Sequence, residues 1–242
     1  MSVPVAGSVE IAPDPAALAR MAADWLVGRM MAARGDFRLS LSGGSTPRAL
    51  YALLASDEFR PSVPWDKLAL FWGDERFVPP DDKESNYRMA RETLLARAPM
   101  AADRIHPIPT DGTPDEAALR YESLLKQIYG ADRLDPGRPL FDVILLGLGA
   151  DGHTGSLLPG QPVLQERTRW VAAVAQGRPE ARITLTYPAI ESSGVMAFLV
   201  AGADKAPAVK AARAGDRAMP AARLRPQGEA IWFLDRAAAG AA

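Results

Sequence analysis

The amino-acid sequence predicts an α/β fold built on a doubly wound, mostly parallel sheet. Three observations carry this. The continuous apolar run Leu68–Trp72 and the mostly apolar Phe141–Leu146 have the composition of buried strands. Segments with helix caps or helical apolar spacing lie between such runs, the alternation expected of βαβ units. Glycine-rich or charged loops follow the runs directly, where ligands of such sheets bind.

The elements follow in order. Asp14-Pro15 supplies an N-cap and a first helical residue. Leu18, Met21, Ala22, Trp25 and Leu26 then share one helical face, and Gly35 is expected to close the helix. Phe37–Leu41 reads as a short strand and Ser42–Pro47 as a tight loop, with Thr46 and Pro47 as cap and first residue of a helix through Leu50 and Leu54. The strand Leu68–Trp72 leads into a polar loop from Gly73 to Ser85, and Ser85 caps the next helix. Thr113-Pro114-Asp115-Glu116 is a capping box ahead of a helix through Tyr129. The strand Phe141–Leu146 runs into the loop Gly147–Gly155. Further strands are expected at Trp170–Val174, Arg182–Leu185, Val195–Val200 and Ala230–Leu234, with a helix over Asp204–Ala214. No repeat or long linker interrupts the pattern, so residues 1–242 are expected to form one α/β domain.

Composition narrows the chemistry. With 48% hydrophobic and 24% charged residues, the chain can bury a substantial core. A formal net charge of −1 gives no basic excess for nucleic acid, so no nucleic-acid partner is expected. The absence of cysteine removes disulfides, thiolate nucleophiles and cysteine-based zinc sites. Two histidines, His106 and His153, cannot build a three-histidine metal site, which leaves only a carboxylate-bound Mg²⁺ open. Met1–Ala12 lacks the basic and apolar regions of a signal peptide, and the apolar runs fall well short of the ~20 residues of a membrane span. No membrane partner is expected, and the expected location is the cytoplasm. Oligomeric state is not readable.

Four loops can carry chemistry. In Ser42-Gly43-Gly44-Ser45-Thr46-Pro47-Arg48, two glycines admit an anion close to the backbone and the loop opens a helix, whose free N–H groups favour phosphate. It is neither a Walker loop, since no Gly-Lys-Ser/Thr follows, nor a nucleophile elbow, since Pro47 replaces the last glycine. In Gly73-Asp74-Glu75-Arg76, three charges directly after an apolar strand need partners, and Arg76 can meet an oxyanion or phosphate in bidentate fashion. Gly147–Gly155 contains a formal Gly-x-Gly-x-x-Gly, but Pro159-Gly160 breaks any long helix after it. Its His153, two residues from Asp151, has the residue type whose ordinary pKa near ~6.5 suits proton transfer. His106 reads as structural or surface-exposed. Arg182 and Lys205 follow or open strands and can reach a phosphate at the sheet's carboxyl edge.

These loops, in this order, resemble the 6-phosphogluconolactonases, within the wider family of glucosamine-6-phosphate deaminases and ribose-5-phosphate isomerases. The matching stretches are Ser42–Pro47, Trp72–Pro79 with Ser85-Asn86, Gly147–Pro159, Arg182–Thr186 and Gly202–Ala206. The resemblance implies Rossmann-like layering, activity without a cofactor or metal, and hydrolysis of 6-phospho-D-glucono-1,5-lactone to 6-phospho-D-gluconate in the oxidative pentose phosphate pathway. It implies that His153 is the base and Arg76 a substrate ligand, with Asp151 also catalytic. Ser42, Gly43, Gly44, Ser45, Thr46, Arg48, Asp74, Arg182 and Lys205 become the substrate contacts. The deaminases carry a glutamate five residues after the histidine; Leu158 stands there and cannot relay a proton. An isomerase or deaminase on the same fold, and a non-enzymatic sugar-phosphate sensor, are the alternatives.

Overall fold

Among the described residues, ten strands and seven α-helices are built from these segments. In chain order they are β1 (Ser8–Ala12), α1 (Pro15–Ala32), β2 (Phe37–Leu41), α2 (Ser45–Leu54), β3 (Leu68–Trp72), β4 (Asp74–Arg76), α3 (Asn86–Ala90), β5 (Ile105–His106), α4 (Pro114–Tyr129), β6 (Phe141–Leu146), β7 (Val171–Val174), β8 (Arg182–Leu185), α5 (Tyr187–Glu191), β9 (Ser193–Val200), α6 (Ala206–Arg213), β10 (Glu229–Asp235) and α7 (Arg236–Ala239). The structure is a computed structural model and describes residues 5 and 7–241. Met1–Pro4 and Ala6, part of the segment read for a signal peptide, lie outside the described residues, as does Ala242. Among the described residues no helix is long and apolar enough to cross a membrane.

Seven strands pair in parallel in the order β1-β10-β9-β6-β2-β3-β5, as expected for a mostly parallel sheet. Every residue of β3 is buried, which is why it reads as an unbroken apolar run. The order reverses between β2 and β6. After β2 the chain builds outward through β3 and β5, and after β6 it builds the other way through β9 and β10. In an open sheet, a crevice forms at such a switch point, outside the carboxyl ends of the two strands. The loops Ser42–Gly44 and Gly147–Gly155 leave from those ends.

A second sheet was not foreseen. The charged segment after β3, read as a polar loop, forms β4 and pairs antiparallel with β8, which pairs antiparallel with β7. The expected strands near Trp170–Val174 and Arg182–Leu185 exist, but in this three-stranded sheet rather than the parallel one. Gly73 joins the two sheets: its N–H donates to Leu41 O at 2.8 Å, while its carbonyl accepts from Leu185 N–H at 2.8 Å. The small sheet therefore stands on the carboxyl edge of the large one.

Two helix boundaries differ from expectation. α1 ends at Ala32 with Ala33 extended at the cap, so Gly35 lies beyond the helix and does not close it. α2 begins at Ser45 behind Gly44, whose φ of 108° only glycine adopts readily, and Thr46 and Pro47 sit inside the first turn instead of capping it. Asp14, Ser85 and Thr113 cap their helices as the sequence predicts, and Thr113 completes the reciprocal box with Glu116. β1, β5 and α5 carry too short or too mixed a pattern to be read. The ring of His106, on β5, stacks on Phe71 at 4.7 Å, a structural placement.

Two buried tyrosines fix the strand ends that face the crevice. The Tyr51 hydroxyl accepts from Ser42 N–H at 2.9 Å and donates to Ser42 O at 2.8 Å. The Tyr121 hydroxyl does the same for Trp72, at 3.0 and 3.1 Å. Burial pushes both phenols up, so both stay neutral and can donate and accept together. Tyr121→Phe is expected to lower the unfolding free energy by about 2 kcal/mol, because it strands two buried backbone groups. Urea unfolding checks this, and a change under about 0.5 kcal/mol would contradict the assignment.

Candidate active site

The crevice holds a cleft of about 260 Å³. That is below the ~300–1,000 Å³ of drug-sized sites and favours a small polar ligand over a dinucleotide. Ser42, Gly43, Gly44, Ser45 and Thr46 line it from the β2–α2 loop, Asp74 and Arg76 from β4, His153 from the β6 loop, Arg182 from β8 and Lys205 from the turn before α6. Ten of the twelve predicted site residues thus converge there. Arg48 does not; it lines a neighbouring recess that shares Gly44, Arg76 and Asn86 with the cleft. Asp151 does not line the cleft but is bonded to a residue that does.

That bond defines the β6 loop. Asp151 Oδ1 lies 2.5 Å from His153 Nδ1 and accepts from His153 N–H at 3.2 Å. With Nδ1 donating to the carboxylate, the neutral ring keeps Nε2 as an acceptor; this tautomer follows from the hydrogen-bond network. Burial alone would raise the Asp151 pKa, but hydrogen bonds from Arg178 and His153 outweigh it and hold the carboxyl well below the usual range. Gly149 makes the arrangement possible. A Cβ there would stand 2.0 Å from His153 Nδ1 and 2.6 Å from Asp151 Oδ1, positions the pair already occupies.

The carboxylates of β4 both have partners within the fold. Glu75 is buried and accepts from Asn86 N–H and Tyr87 N–H, both at 2.7 Å, from Arg76 N–H at 2.8 Å and from Ser85 Oγ–H at 3.2 Å. Burial raises its pKa, the three backbone donors offsetting part of the rise. It anchors the start of α3 to the small sheet and so sets Asn86 against the cleft. Asp74 accepts from Ser156 Oγ–H at 2.6 Å.

The cations of the small sheet are matched more loosely: Arg76 Nη1 donates to Glu84 O at 2.6 Å and lies 3.6 Å from Glu84 Oε2, and Arg182 Nη2 lies 3.9 Å from Glu180 Oε2. Arg76 and Arg182 sit directly opposite each other in the β4–β8 register, an unfavourable placement for like charges. Burial, then the charge of Arg76, pushes the Arg182 guanidinium below its ordinary value. The Nε atoms of both arginines are buried and find no hydrogen-bond partner among the described residues, and neither does Thr154 Oγ1. These donors on the lining of one cleft are suited to an anion. No group of three or more His, Asp or Glu side chains converges as a metal site among the described residues.

Sequence reasoning missed Arg178, whose Nη2 donates to Asp151 Oδ2 at 2.7 Å. It lies between β7 and β8 with no motif around it, and only the antiparallel register of that hairpin reveals its direction. Asn86 and Thr154, also on the cleft lining, lay within recognised stretches without being singled out.

The chain is similar to several known proteins. The family model described as glucosamine-6-phosphate isomerases/6-phosphogluconolactonase matches residues 13–232. A 6-phosphogluconolactonase of Nostoc sp. is 43% identical, over 97% of each chain. The solved structure of 6-phosphogluconolactonase from Trypanosoma cruzi superposes with a TM-score of 0.84 at 27% identity, covering 99% of this chain and 97% of that one. A monomeric glucosamine-6-phosphate deaminase superposes with a TM-score of 0.80 at 22% identity, over 96% of this chain and 99% of that one, a likeness of fold.

Gly149→Ala is expected to expel the imidazole from its place beside Asp151 and to cost about 1–3 kcal/mol by overpacking. The Nδ1–H proton resonance of His153, protected by its hydrogen bond to Asp151, should disappear from the NMR spectrum, as is expected for His153→Asn. Persistence of that resonance would show that the glycine is not required.

Proposed function

The chain belongs to the glucosamine-6-phosphate isomerase/6-phosphogluconolactonase family, and from that premise we propose that it hydrolyses 6-phospho-D-glucono-1,5-lactone to 6-phospho-D-gluconate. One observation carries the reading: a single cleft is lined both by a histidine whose Nδ1 is held by a carboxylate and by the facing guanidinium groups of Arg76 and Arg182.

In this mechanism the Nε2 of His153 takes a proton from water as the water oxygen attacks the lactone carbonyl. A tetrahedral oxyanion forms. Arg76 and the backbone N–H groups of the glycine loops stabilise it, one such donor being worth roughly 3–4 kcal/mol. The intermediate collapses with cleavage of the bond to the ring oxygen. That oxygen leaves as an alcohol, taking its proton from the His153 imidazolium. Asp151 stabilises the imidazolium in between without changing its own protonation. A general base of this kind contributes roughly 10²–10⁴-fold.

The phosphate takes no part in bond making and serves as a handle. Arg182, Lys205 and the start of α2 at Ser45 and Thr46 are its proposed partners. A dianion there relieves the repulsion between Arg182 and Arg76. Asp74, tied to Ser156, is left to receive sugar hydroxyls. Arg48 drops out of the proposed contacts, because it faces the adjoining recess. The position that carries glutamate in the deaminases is here the buried Leu158, which gives the imidazole no second acid and argues against ring-opening deamination.

The test is acid release from freshly generated phosphogluconolactone, above the spontaneous rate, by the parent, His153→Asn and Arg182→Ala. His153→Asn is expected to lose roughly 10²–10⁴ in kcat while still binding 6-phosphogluconate in a calorimeter. Arg182→Ala is expected to raise KM about 10- to 100-fold, since a hydrogen bond to a charged group is worth roughly 1.5–3 kcal/mol. Turnover of His153→Asn within a few-fold of the parent would overturn the base assignment. Ammonia release from glucosamine 6-phosphate would overturn the reaction.

A further inference from the structure

Arg178 stands behind the cleft rather than on its lining, in the connection 175–181 between β7 and β8. Its Nη2 donates to Asp151 Oδ2 at 2.7 Å and lies 3.4 Å from His153 Nδ1, while its Nη1 donates to Gly177 O at 2.8 Å. The two oxygens of one carboxylate are thus divided. Oδ1 faces the imidazole and Oδ2 faces the guanidinium. We propose that Arg178 is a positioning residue that locks the Asp151 carboxylate in the orientation aligning His153, and whose charge opposes protonation of the imidazole. The inference rests on the reading of His153 as the base.

Two physical arguments support it. A carboxylate bonded at one oxygen only can rotate and offer the imidazole either oxygen, at a different angle each time. A cation on the other oxygen removes that freedom. Arg178 Nη1 is itself tied to the backbone, so the lock is referred to the hairpin and not to a free side chain. The second argument is electrostatic. A guanidinium this close to Nδ1 disfavours a second positive charge on the ring, and by bonding Oδ2 it also weakens the pull of Asp151 on the ring proton.

Other charges near the ring do not replace it. Asp74 and Arg76 on β4, Arg182 on β8 and Lys205 before α6 all line the cleft with His153. The ring's polar contacts among the described residues, however, are with Asp151 and Arg178. Removing the Arg178 charge therefore favours the imidazolium, and the base stays protonated to higher pH. The sign is fixed: the acid limb of the pH–rate profile moves upward.

The experiment compares kcat and KM across pH for the parent, Arg178→Gln, Arg178→Met and Arg178→Lys, with His153→Asn in parallel and a thermal melt of each. Arg178→Gln and Arg178→Met are expected to lose about 10- to 100-fold in kcat through misalignment, with KM within about 3-fold. Their acid limb is expected to rise by about 0.5–1 pH unit. Arg178→Lys, which keeps the charge, should return the limb to the parent position and recover part of kcat. An unmoved limb in a folded Gln or Met variant overturns the proposal. So does a rise in KM at parental kcat, which would make Arg178 a substrate contact. If neither neutral variant folds, Arg178 is structural and the proposal falls. If His153→Asn itself turns over with the parent's pH dependence, the failure belongs to the base assignment instead.

Discussion

β2 and β6 share two registered pairs, Leu39 with Val143 and Ser40 with Ile144, and beyond them the chain builds the sheet in opposite directions. Everything at the site follows from that parting. Parallel strands must send their connections off the carboxyl edge, and only at this point do two adjacent connections diverge enough to leave a crevice. One of them ends in the N-terminus of α2, which offers backbone donors, and the other carries His153. Tyr51 and Tyr121 hold the adjoining strand ends through both backbone groups at once, so the crevice has rigid walls although loops form it.

The small antiparallel sheet supplies what the large one cannot. Side chains of a buried parallel sheet are apolar, so charged groups have to come from elements standing on its edge. Gly73 turns the chain out of β3, and three consecutive charged residues then serve three purposes. Glu75 is consumed in anchoring α3, Asp74 takes Ser156, and Arg76 is left opposite Arg182 without a matching carboxylate on its Nε. Tightly bonded carboxylates beside arginines whose Nε atoms have no partner, and whose other ion pairs are as long as 3.6 and 3.9 Å, suit the cleft to an anion although the net charge of the whole chain is near zero.

Much of this was legible in the sequence, and the illegible parts have physical reasons. Strand β3 was readable because burial on both faces demands an unbroken apolar run, β2 and β6 because they are mostly apolar segments leading into glycine-rich loops, and the helix caps because the chemistry of N-terminal N–H groups is local. Seven of the ten predicted site residues that meet in the cleft follow strands of the parallel sheet, whose carboxyl ends converge by construction; Asp74, Arg76 and Arg182 reach it from the small sheet. The second sheet was not readable. A three-residue strand of Asp, Glu and Arg has no apolar period, and its pairing with residues more than a hundred positions away leaves no local trace. Arg48 lines the adjoining recess rather than the cleft, because sequence proximity to the glycine loop does not say which side of α2 a residue faces. Arg178 escaped altogether, since a lone arginine beside a proline carries no signal until the β7–β8 register is known.

The facing arginines also bear on how long a molecule of this protein lasts. Under the proposed placement of the phosphate, a dianion relieves their repulsion, so ligand binding and global stability are linked. At a hundredfold excess over the dissociation constant, such linkage adds roughly 2.7 kcal/mol against unfolding. Proteases that cut opened chains sample the unfolded population, which that increment cuts by about a hundredfold. Supply of the phosphorylated ligand would then govern the rate of degradation as well as turnover, and molecules idle for want of ligand would be the first removed.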